Sequence, residues 1–379
     1  MSSTTPIPDA DLTPRIGVLG AGQLGRMLAL AGLPLGYRFV FVDPSPGAPA
    51  AAVGEQIACA YADPVGQDAL AACLVVTYEF ESVPVEAAEA LAERVPVFPP
   101  PFALRVAQDR LAEKSCFRAL GIGTAPFEAV DSLEDLTRAV ETLGLPAVLK
   151  TRRLGYDGKG QVVLRRAEDV ASAWDAVGQA PSILEGFVHF ERELSLIAVR
   201  GRDGEIAFYP LVENHHRHGI LRKTISPAPA LTLDLQAAAE TYAIRILEHL
   251  DYVGVLALEL FEKRGMLVAN EIAPRVHNSG HHSLEGSHTS QFENHLRAIL
   301  GLPLGDTSAV SPSCMLNLVG TLPQREAVLA IPDTHLHLYG KAPRPGRKVG
   351  HITVRAKTEA ELATRVAELE AIPGVCDVE

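Results

Sequence analysis

The sequence predicts an α/β domain followed by a larger α+β region, and three observations support this fold class. The chain has 379 residues, which is too long for one ordinary core, so two or three domains are expected. Residues 15–43 follow the order strand, glycine-rich turn, helix and strand, which is typical of a parallel sheet. The middle of the chain instead combines short strands, a hairpin and one long helix, which is typical of an α+β fold.

The first region alternates short apolar segments with helical ones. Its predicted strands are Ile16–Leu19, Phe39–Val42, Cys73–Thr77 and Val95–Phe98. Helices are predicted at Arg26–Gly32 and Ala103–Leu120. Three successive prolines, Pro99–Pro101, mark an edge of this first domain.

The second region has more strands than helices. Strands are predicted at Ala147–Lys150, Gln161–Leu164, Ser182–Glu185, Leu194–Val199 and Ile206–Pro210. A long amphipathic helix, Leu233–Leu250, precedes a hairpin whose strands are Val253–Phe261 and Met266–Ala269. The end of the chain adds the strands Met315–Val319, His335–Tyr339 and Gly350–Val354 and the helix Glu359–Ala371.

The composition excludes several classes of protein. Hydrophobic residues make up 47% of the chain, which is ample for burying cores and excludes a disordered protein. A net charge of −12 argues against general nucleic-acid binding, since a polyanion would be repelled. Five dispersed cysteines without a CxxC pair indicate reduced thiols. No apolar segment approaches the ~18 residues of a membrane span, and Met1–Pro14 is polar, so we expect a cytoplasmic protein without membrane contact.

The first glycine-rich turn matches the fingerprint of a dinucleotide site. Gly20, Gly22 and Gly25 have the GxGxxG spacing, and Asp43 follows at about the distance of the residue that holds a ribose. Such a turn lets backbone amides and a helix N-terminus approach a phosphate. This physics suits NAD and also any phosphorylated ligand, so both hypotheses stay open at this point, as does a purely structural turn.

A second glycine-rich turn follows a strand that ends in a lysine. Lys150 precedes Gly155, Gly158 and Gly160, whose amides can close over phosphates, while the lysine supplies a point charge. The alternative is an ordinary glycine turn with solvated cations. Downstream, backbone groups at Glu185–Val188 can contact an adenine edge, and the carboxylate of Glu185 can bind ribose hydroxyls. A solvated glutamate is the alternative.

Two carboxylates on the predicted hairpin indicate a magnesium site. Glu259 lies in an otherwise apolar strand, and Glu271 closes the partner strand after Asn270. An ionised carboxylate is costly there unless it is paired or binds a metal. Two carboxylates and an amide are the hard oxygen ligands that suit Mg²⁺ bridging substrate phosphates. A structural salt bridge at Glu259 is the alternative.

The segment after this hairpin is the most informative part of the chain. Asn270–His281 (NEIAPRVHNSGH) brings together groups that core packing does not need. With Gly20–Met27 (GAGQLGRM), Gly155–Gln161 (GYDGKGQ) and Arg344–His351 (RPGRKVGH), it resembles the ATP-grasp superfamily. Within that superfamily, residues 15–355 resemble the 5-(carboxyamino)imidazole ribonucleotide synthase family.

The resemblance implies a fold, a reaction and cofactors. It implies an ATP-grasp fold with a Rossmann-like N-terminal domain at 1–112, an ATP-grasp domain at 113–310 and a small C-terminal domain at 311–379. It implies that ATP and bicarbonate form carboxyphosphate, and that the amine of aminoimidazole ribonucleotide takes up the carboxyl group in purine biosynthesis. It implies ATP and Mg²⁺, as two ions, as the cofactors. A homodimer is implied by the family alone.

The resemblance also implies a role for individual residues. ATP would contact Arg110, Lys150, Gly155, Tyr156, Asp157, Gly158, Lys159, Gly160, Gln161, Glu185, Gly186, Phe187, Val188, Glu193, His216, Asn270 and Glu271. Magnesium would bind Glu259 and Glu271. The ribonucleotide would contact Gln23, Leu24, Glu79, Asn278, Lys341, Arg347 and Lys348. In this interpretation the first glycine turn serves a mononucleotide and not NAD.

Four residues are the candidates for catalysis. Asp157 is a candidate base for the substrate amine, Tyr156 a stacking partner for the imidazole, and Arg275 a source of positive charge for phosphoryl transfer. His277 is a second candidate for proton handling. The hypotheses of another ATP-grasp ligase, such as a formate-using enzyme or a biotin carboxylase, and of an inactive binding module remain open. His215, His216 and His218 follow a predicted strand without a partner to complete a transition-metal site.

Overall fold

The computed structural model describes residues 13–155 and 159–376. The first region contains β1 Arg15–Leu19, α1 Gln23–Gly32, β2 Arg38–Val42, β3 Glu55–Ile57, α2 Pro64–Ala71, β4 Val75–Tyr78, α3 Val85–Ala92 and α4 Pro101–Ala107. Among the described residues, its strands form a four-stranded parallel sheet in the order β3-β2-β1-β4. This sheet confirms the predicted α/β start, because apolar β1, β2 and β4 are buried between helices.

The second region begins with α5 Arg110–Ala119, β5 Phe127–Val130, α6 Leu133–Leu143, β6 Ala147–Thr151, β7 Gln161–Leu164, α7 Asp169–Ala176 and β8 Ser182–Gly186. Here the described strands form a four-stranded antiparallel sheet in the order β5-β8-β6-β7. Helices α6 and α7 cover one face of this sheet through an apolar cluster that includes Leu136, Leu149 and Trp174.

The rest of the chain builds one long sheet. Its elements are β9 Arg192–Arg200, β10 Ile206–Phe208, β11 Val212–Arg217, β12 Ile220–Ser226, α8 Leu233–His249, β13 Gly254–Lys263, β14 Met266–Ala273, α9 Ser283–Gly286, α10 Gln291–Leu300, β15 Ser313–Val319, α11 Arg325–Leu329, β16 Thr334–Leu338, β17 Lys348–Arg355 and α12 Glu359–Glu370. The order is β14-β13-β9-β11-β12-β15-β17-β16, with β10 paired to β9. The C-terminal strands therefore continue the sheet of the preceding region, because β15 pairs with β12.

Three predicted elements differ from the observed ones. The helix predicted at Ala103–Leu120 is two helices, because Asp109 has extended backbone and its carboxylate accepts the Leu111 and Ala112 amides, which begins α5. The strand predicted at Val95–Phe98 contributes an isolated bridge between Val97 and Val76.

The strand predicted to end at Ala269 continues to Ala273, so Asn270 and Glu271 lie within β14 and not after it. Pairing with β13 extends the strand through these polar residues. None of the helices in the described part of the chain is both long and apolar enough to cross a bilayer.

Candidate active site

Most of the predicted site residues meet at one cleft of about 1030 Å³ between the three sheets. Its lining includes Gln23, Leu24, Arg110, Lys150, Gly155, Gln161, Glu185, Gly186, Phe187, Val188, Glu193, His216, Glu259, Asn270, Glu271, Arg275, His277, Asn278 and Lys348. The cleft lining does not include Glu79, Lys159, Gly160, Lys341 or Arg347. Tyr156, Asp157 and Gly158 lie outside the described residues.

The two predicted magnesium ligands face each other across the hairpin. Glu259 on β13 is the register partner of Glu271 on β14, next to a bulge in the pairing. Burial raises the pKa of Glu259 to about 8, and the nearby negative charge of Glu271 adds to this rise. Burial opposes ionisation of Glu271 as well, but the guanidinium of Arg110 outweighs it and lowers the pKa of that carboxyl. The two carboxyls thus differ, because the pKa of Glu271 is lowered and that of Glu259 is raised.

Arg110 joins the start of α5 to this hairpin. Its Nη1 lies 2.8 Å from Glu271 Oε2, and its Nη2 lies 3.5 Å from the Gly155 carbonyl oxygen. The backbone amide of Arg110 donates to the Arg152 carbonyl at 3.0 Å. The residue therefore connects the carboxylate pair with the glycine turn that was predicted to cover phosphates.

A buried charge network lies beside the predicted phosphate position. Lys150 Nζ is 3.1 Å and Lys114 Nζ is 3.4 Å from Glu185 Oε2. Burial tends to raise the pKa of Glu185, but Lys150 and Lys114 outweigh it and lower that pKa. Burial lowers the pKa of Lys114, which also donates to Thr124 Oγ1 at 3.0 Å. Lys150 lines the cleft and Lys114 is buried behind it, so two amino groups flank one carboxylate, and Lys150 is available to a phosphate in the cleft.

Arg275 and His277 lie in the loop after β14 and line the same cleft. Arg275 Nη2 is 2.7 Å from Glu81 Oε1, which ties the loop after β14 to the first domain. His277 Nε2 is 3.2 Å from Glu259 Oε1, and His277 Nδ1 is 2.8 Å from Ser279 Oγ. Burial, reinforced by the positive charge of Arg275, holds the pKa of His277 well below its ordinary value. A neutral imidazole beside a carboxyl of raised pKa is able to share a proton with it.

The first glycine turn has an internal partner. The backbone amides of Gly22 and Gly25 donate to the two oxygens of Glu79, the latter at 2.9 Å. Burial raises the pKa of Glu79, and these two hydrogen bonds oppose that rise. A Cβ at Gly22 would lie 2.5 Å from a Glu79 oxygen, so the turn requires glycine there. The expectation that these amides receive a phosphate is therefore corrected, because a buried carboxylate already supplies the negative charge at the N-terminus of α1.

Three of the residues predicted to contact the ribonucleotide belong to the basic turn of the C-terminal region. Lys341 Nζ donates to Gln23 Oε1, so the basic turn of the C-terminal region contacts α1 of the first domain. Arg347 is half-buried, and its Nη1 donates to the Ala342 carbonyl at 3.2 Å. Lys348 begins β17 and lines the cleft.

Asn278 is held by a second amide. Its side chain exchanges hydrogen bonds with Asn317 at 3.1 and 2.6 Å, and Asn317 also donates to the Leu221 carbonyl. This pair fixes the loop after β14 against strands β12 and β15. The side-chain amide of Asn278 is thus already committed to Asn317, and the contact predicted with the ribonucleotide stays a prediction.

Two of the three histidines of the middle region lie within a strand, and the third follows that strand. His215 and His216 are in β11, and His218 is in the turn that follows. His216 pairs with Glu193, which raises the pKa of His216 although burial lowers it. Within residues 13–155 and 159–376, no group of three or more His, Cys, Asp or Glu side chains is arranged to hold a metal ion.

Several residues in and beside the cleft were not predicted from the sequence. Glu113 is buried on α5, and its Oε1 accepts the Ile272 amide at 2.6 Å, which fixes β14. Arg110, Glu113 and Lys114 share one face of α5 at helical spacing, and this charged inner face was the available signal. Glu81, the partner of Arg275, gave no signal because the pairing joins positions far apart in the chain.

Comparisons with known proteins match three successive parts of the chain to family models. Residues 13–108 match the family model of the ribonucleotide synthetase preATP-grasp domain, and residues 115–292 match that of the ATP-grasp domain. Residues 313–365 match the phosphoribosylaminoimidazole carboxylase C-terminal domain. The predicted fold class, an ATP-grasp fold with a Rossmann-like N-terminal domain and a small C-terminal domain, is thereby confirmed. The domain bounds at residues 112 and 310 stay predictions.

Several relatives that match along nearly the whole chain are N5-carboxyaminoimidazole ribonucleotide synthases. The chain is 56% identical to the N5-carboxyaminoimidazole ribonucleotide synthase of Pseudomonas aeruginosa, over 94% of this chain and 99% of that protein. The crystal structure of N5-carboxyaminoimidazole ribonucleotide synthetase from Thermus thermophilus is similar, with a TM-score of 0.92, 55% identity, and coverage of 96% of this chain and 99% of that one. The enzyme from Aspergillus clavatus in complex with ADP and 5-aminoimidazole ribonucleotide has a TM-score of 0.87 at 33% identity, over 93% and 96% of the two chains.

Proposed function

Because this chain belongs to the N5-carboxyaminoimidazole ribonucleotide synthase family, we propose that its cleft performs the family's reaction with the residues described above. The protein is an ATP-grasp ligase that carboxylates 5-aminoimidazole ribonucleotide in an ATP-dependent step of purine biosynthesis. The observation that carries the assignment of residues is the pairing of Glu259 with Glu271 beside Lys150 and Arg110 in one cleft. Bicarbonate as the carboxyl donor and carboxyphosphate as the intermediate belong to the proposal.

The residues present suit magnesium. Asn270 Oδ1 is buried without a hydrogen-bond partner among the described residues, and it lines the same cleft as Glu259 and Glu271, whose carboxylates supply hard oxygens. Two carboxylates fall short of a complete protein site, which fits an ion that takes its remaining ligands from phosphates and water. Bound there as two ions, Mg²⁺ would neutralise the phosphate charge that develops during phosphoryl transfer.

The other groups bind, orient and exclude water. In this proposal Lys150 and Arg110 hold the phosphates of ATP, and Glu185–Val188 contact its adenine and ribose. Arg275 is placed to bind the anion that accepts the γ-phosphoryl group. Lys341, Arg347 and Lys348 form a basic turn that suits the phosphate of the ribonucleotide. Asp157 and His277 are the candidates for taking the proton of the substrate amine.

A coupled ADP-release assay tests this function. ADP release should require ATP, bicarbonate and 5-aminoimidazole ribonucleotide together, and omitting either carboxylation substrate should abolish it. Release that depends on formate and glycinamide ribonucleotide would instead favour another ATP-grasp ligase. Reduction of NAD by the protein would favour the dinucleotide hypothesis, which the pairing of Glu79 with the glycine-turn amides already disfavours.

The homodimer and the cytoplasmic location are further parts of the proposal, and the family resemblance supports both. Light scattering of the purified protein tests the first, since a dimer would have twice the 40.5 kDa mass of the chain. Cell fractionation tests the second.

A further inference from the structure

A buried polar layer lies between the segment that follows β14 and the C-terminal strands. It is formed by His281, His282, Glu285, His337, Tyr339 and His351, and it is called the histidine layer below. Side chains alternate between the faces of a strand, so His351 faces this layer while its neighbour Ile352 joins the apolar cluster against α12. The reaction proposed above gives these imidazoles no task, and packing would be served by apolar residues.

The histidine layer forms a continuous series of contacts from the cleft to the surface. At the inner end, His281 and Tyr339 line the cleft. The Tyr339 hydroxyl lies 2.7 Å from His351 Nδ1, and the rings of His281 and His351 are 4.9 Å apart. His351 stacks on His337 with the ring centroids 4.4 Å apart, and His337 Nε2 lies 2.8 Å from Glu285 Oε1. The side chain of His337 is 28% exposed, so the outer end of the series reaches solvent.

Polar atoms without partners concentrate at this layer. In the described residues, 16 buried side-chain nitrogen or oxygen atoms have no hydrogen-bond partner, and eight of them lie in or beside the layer. Both ring nitrogens of His282, Nε2 of His351 and Oε2 of Glu285 are among them. The others belong to Ser287, Ser313, Thr353 and Arg355. Buried polar groups in folded proteins pair with protein atoms or with ordered water, so this concentration indicates internal water between the imidazoles.

Neutral imidazoles with water between them are able to pass a proton. Burial lowers the pKa of His281 and of His351 well below the ordinary value, so both rings are neutral at pH 7. A neutral imidazole has one N–H donor and one acceptor nitrogen, so it takes a proton at one nitrogen and releases another from the second. The carboxylation produces such a proton. The γ-phosphoryl group leaves ADP and bonds to a bicarbonate oxygen. The amine nitrogen then bonds to the carboxyl carbon, the bond from that carbon to the phosphate oxygen breaks, and the nitrogen loses one N–H proton as phosphate leaves.

We propose that the histidine layer is the route by which the proton lost by the substrate amine leaves the cleft for solvent. The proposal rests on the proposed function. His281 and Tyr339 face the cleft and receive the proton from the group that takes it from the amine. His351 and the internal water pass it on, and His337 with Glu285 releases it at the surface. These side chains act as a relay and do not contact the reacting atoms.

The full-length enzyme with His337→Gln or His351→Gln tests the route. Glutamine keeps a donor and an acceptor but does not relay a proton. We expect kcat to fall roughly tenfold in both variants, a modest share of a general acid–base contribution, with the KM values for ATP and ribonucleotide unchanged. Added imidazole buffer should restore much of kcat, and the solvent deuterium isotope effect on kcat should rise. His249→Gln, at the exposed end of α8, is the control and should change none of these.

Two results would overturn the route. One is an unchanged kcat in His337→Gln, and the other is a loss of kcat that imidazole does not restore. Should the buried His351→Gln fail to fold, His337→Gln decides alone, since its side chain is partly exposed. Wild-type enzyme that releases no ADP with bicarbonate and 5-aminoimidazole ribonucleotide would instead contradict the proposed function, which keeps the two failures distinct.

Discussion

Replacing Glu271 by glutamine removes one negative charge from the cleft while nearly preserving the shape of the side chain. This carboxylate lies 2.8 Å from Arg110, and the two side chains are 37% and 18% exposed. Solvent therefore screens the pair, and the glutamine oxygen still accepts a hydrogen bond from Arg110. The free energy of unfolding should fall by only about 1 kcal/mol.

Glu271→Gln should lower kcat far more than it lowers the free energy of unfolding. Glu271 is the partner of Glu259 in the proposed magnesium site, and a neutral amide oxygen is a weaker ligand for a hard cation. Losing one preorganised charge that acts on the transferring phosphoryl group costs on the order of 10³-fold in kcat, or about 4 kcal/mol. Removal of the like charge should also lower the pKa of Glu259, since Glu271 contributes to its rise.

The assay is ADP release at saturating ribonucleotide and bicarbonate, titrated with Mg²⁺, alongside urea unfolding. Glu262→Gln is the matched control, because Glu262 lies on the same hairpin and pairs with Arg192 outside the cleft lining. The control should lose stability and keep its kcat. A Glu271→Gln enzyme that retains a tenth or more of the wild-type kcat with an unchanged Mg²⁺ dependence would refute the assigned role of the carboxylate.

Two further predictions concern the ribonucleotide contact and acid stability. Lys341→Ala should raise the KM for ribonucleotide roughly tenfold, the worth of one charge-assisted hydrogen bond, and leave the KM for ATP nearly unchanged. Equal effects on both would contradict the role of Lys341, and the exposed Lys357→Ala is the control. Burial lowers the pKa of His295 from 6.5 to about 3. Because the unfolded chain takes up the proton first, the contribution of this neutral imidazole to the free energy of unfolding is fully present above pH 6.5 and is lost as the pH drops towards 3. At pH 5 this loss should be about 2 kcal/mol relative to pH 8, and urea unfolding of His295→Gln should show a clearly smaller difference between the two pH values.

The hairpin that carries Glu259 and Glu271 could be predicted from the sequence because its information is local. An apolar strand interrupted by one carboxylate, followed by a turn and a second strand, already places the two acids on neighbouring strands. The prediction ended β14 at Ala269 because Asn270 and Glu271 are polar. Pairing with β13 and the hydrogen bond from the Ile272 amide to Glu113 extend it to Ala273.

The partner of the first glycine turn could not be predicted in the same way. Gly22 and Gly25 have the spacing of a phosphate site, yet their amides donate to Glu79, which is more than fifty positions away in the chain. Glu79 was predicted as a ribonucleotide contact from the resemblance alone. The same limit applies to Glu81 and Arg275, whose pairing depends on how the first domain packs against the loop after β14.

The pairing of β12 with β15 has a consequence for protein engineering. Residues 223–226 of β12 are hydrogen-bonded to residues 313–316 of β15, so the last part of the chain completes a sheet that the preceding part begins. A truncated protein that stops near residue 310 would expose the backbone groups of β12 along an open flank. The open edge of such a strand forms backbone hydrogen bonds with strands of other molecules, which leads to aggregation. Expression of the first 310 residues alone should therefore yield aggregates, and a minimal enzyme needs its C-terminal strands supplied in the same polypeptide or added back as a fragment.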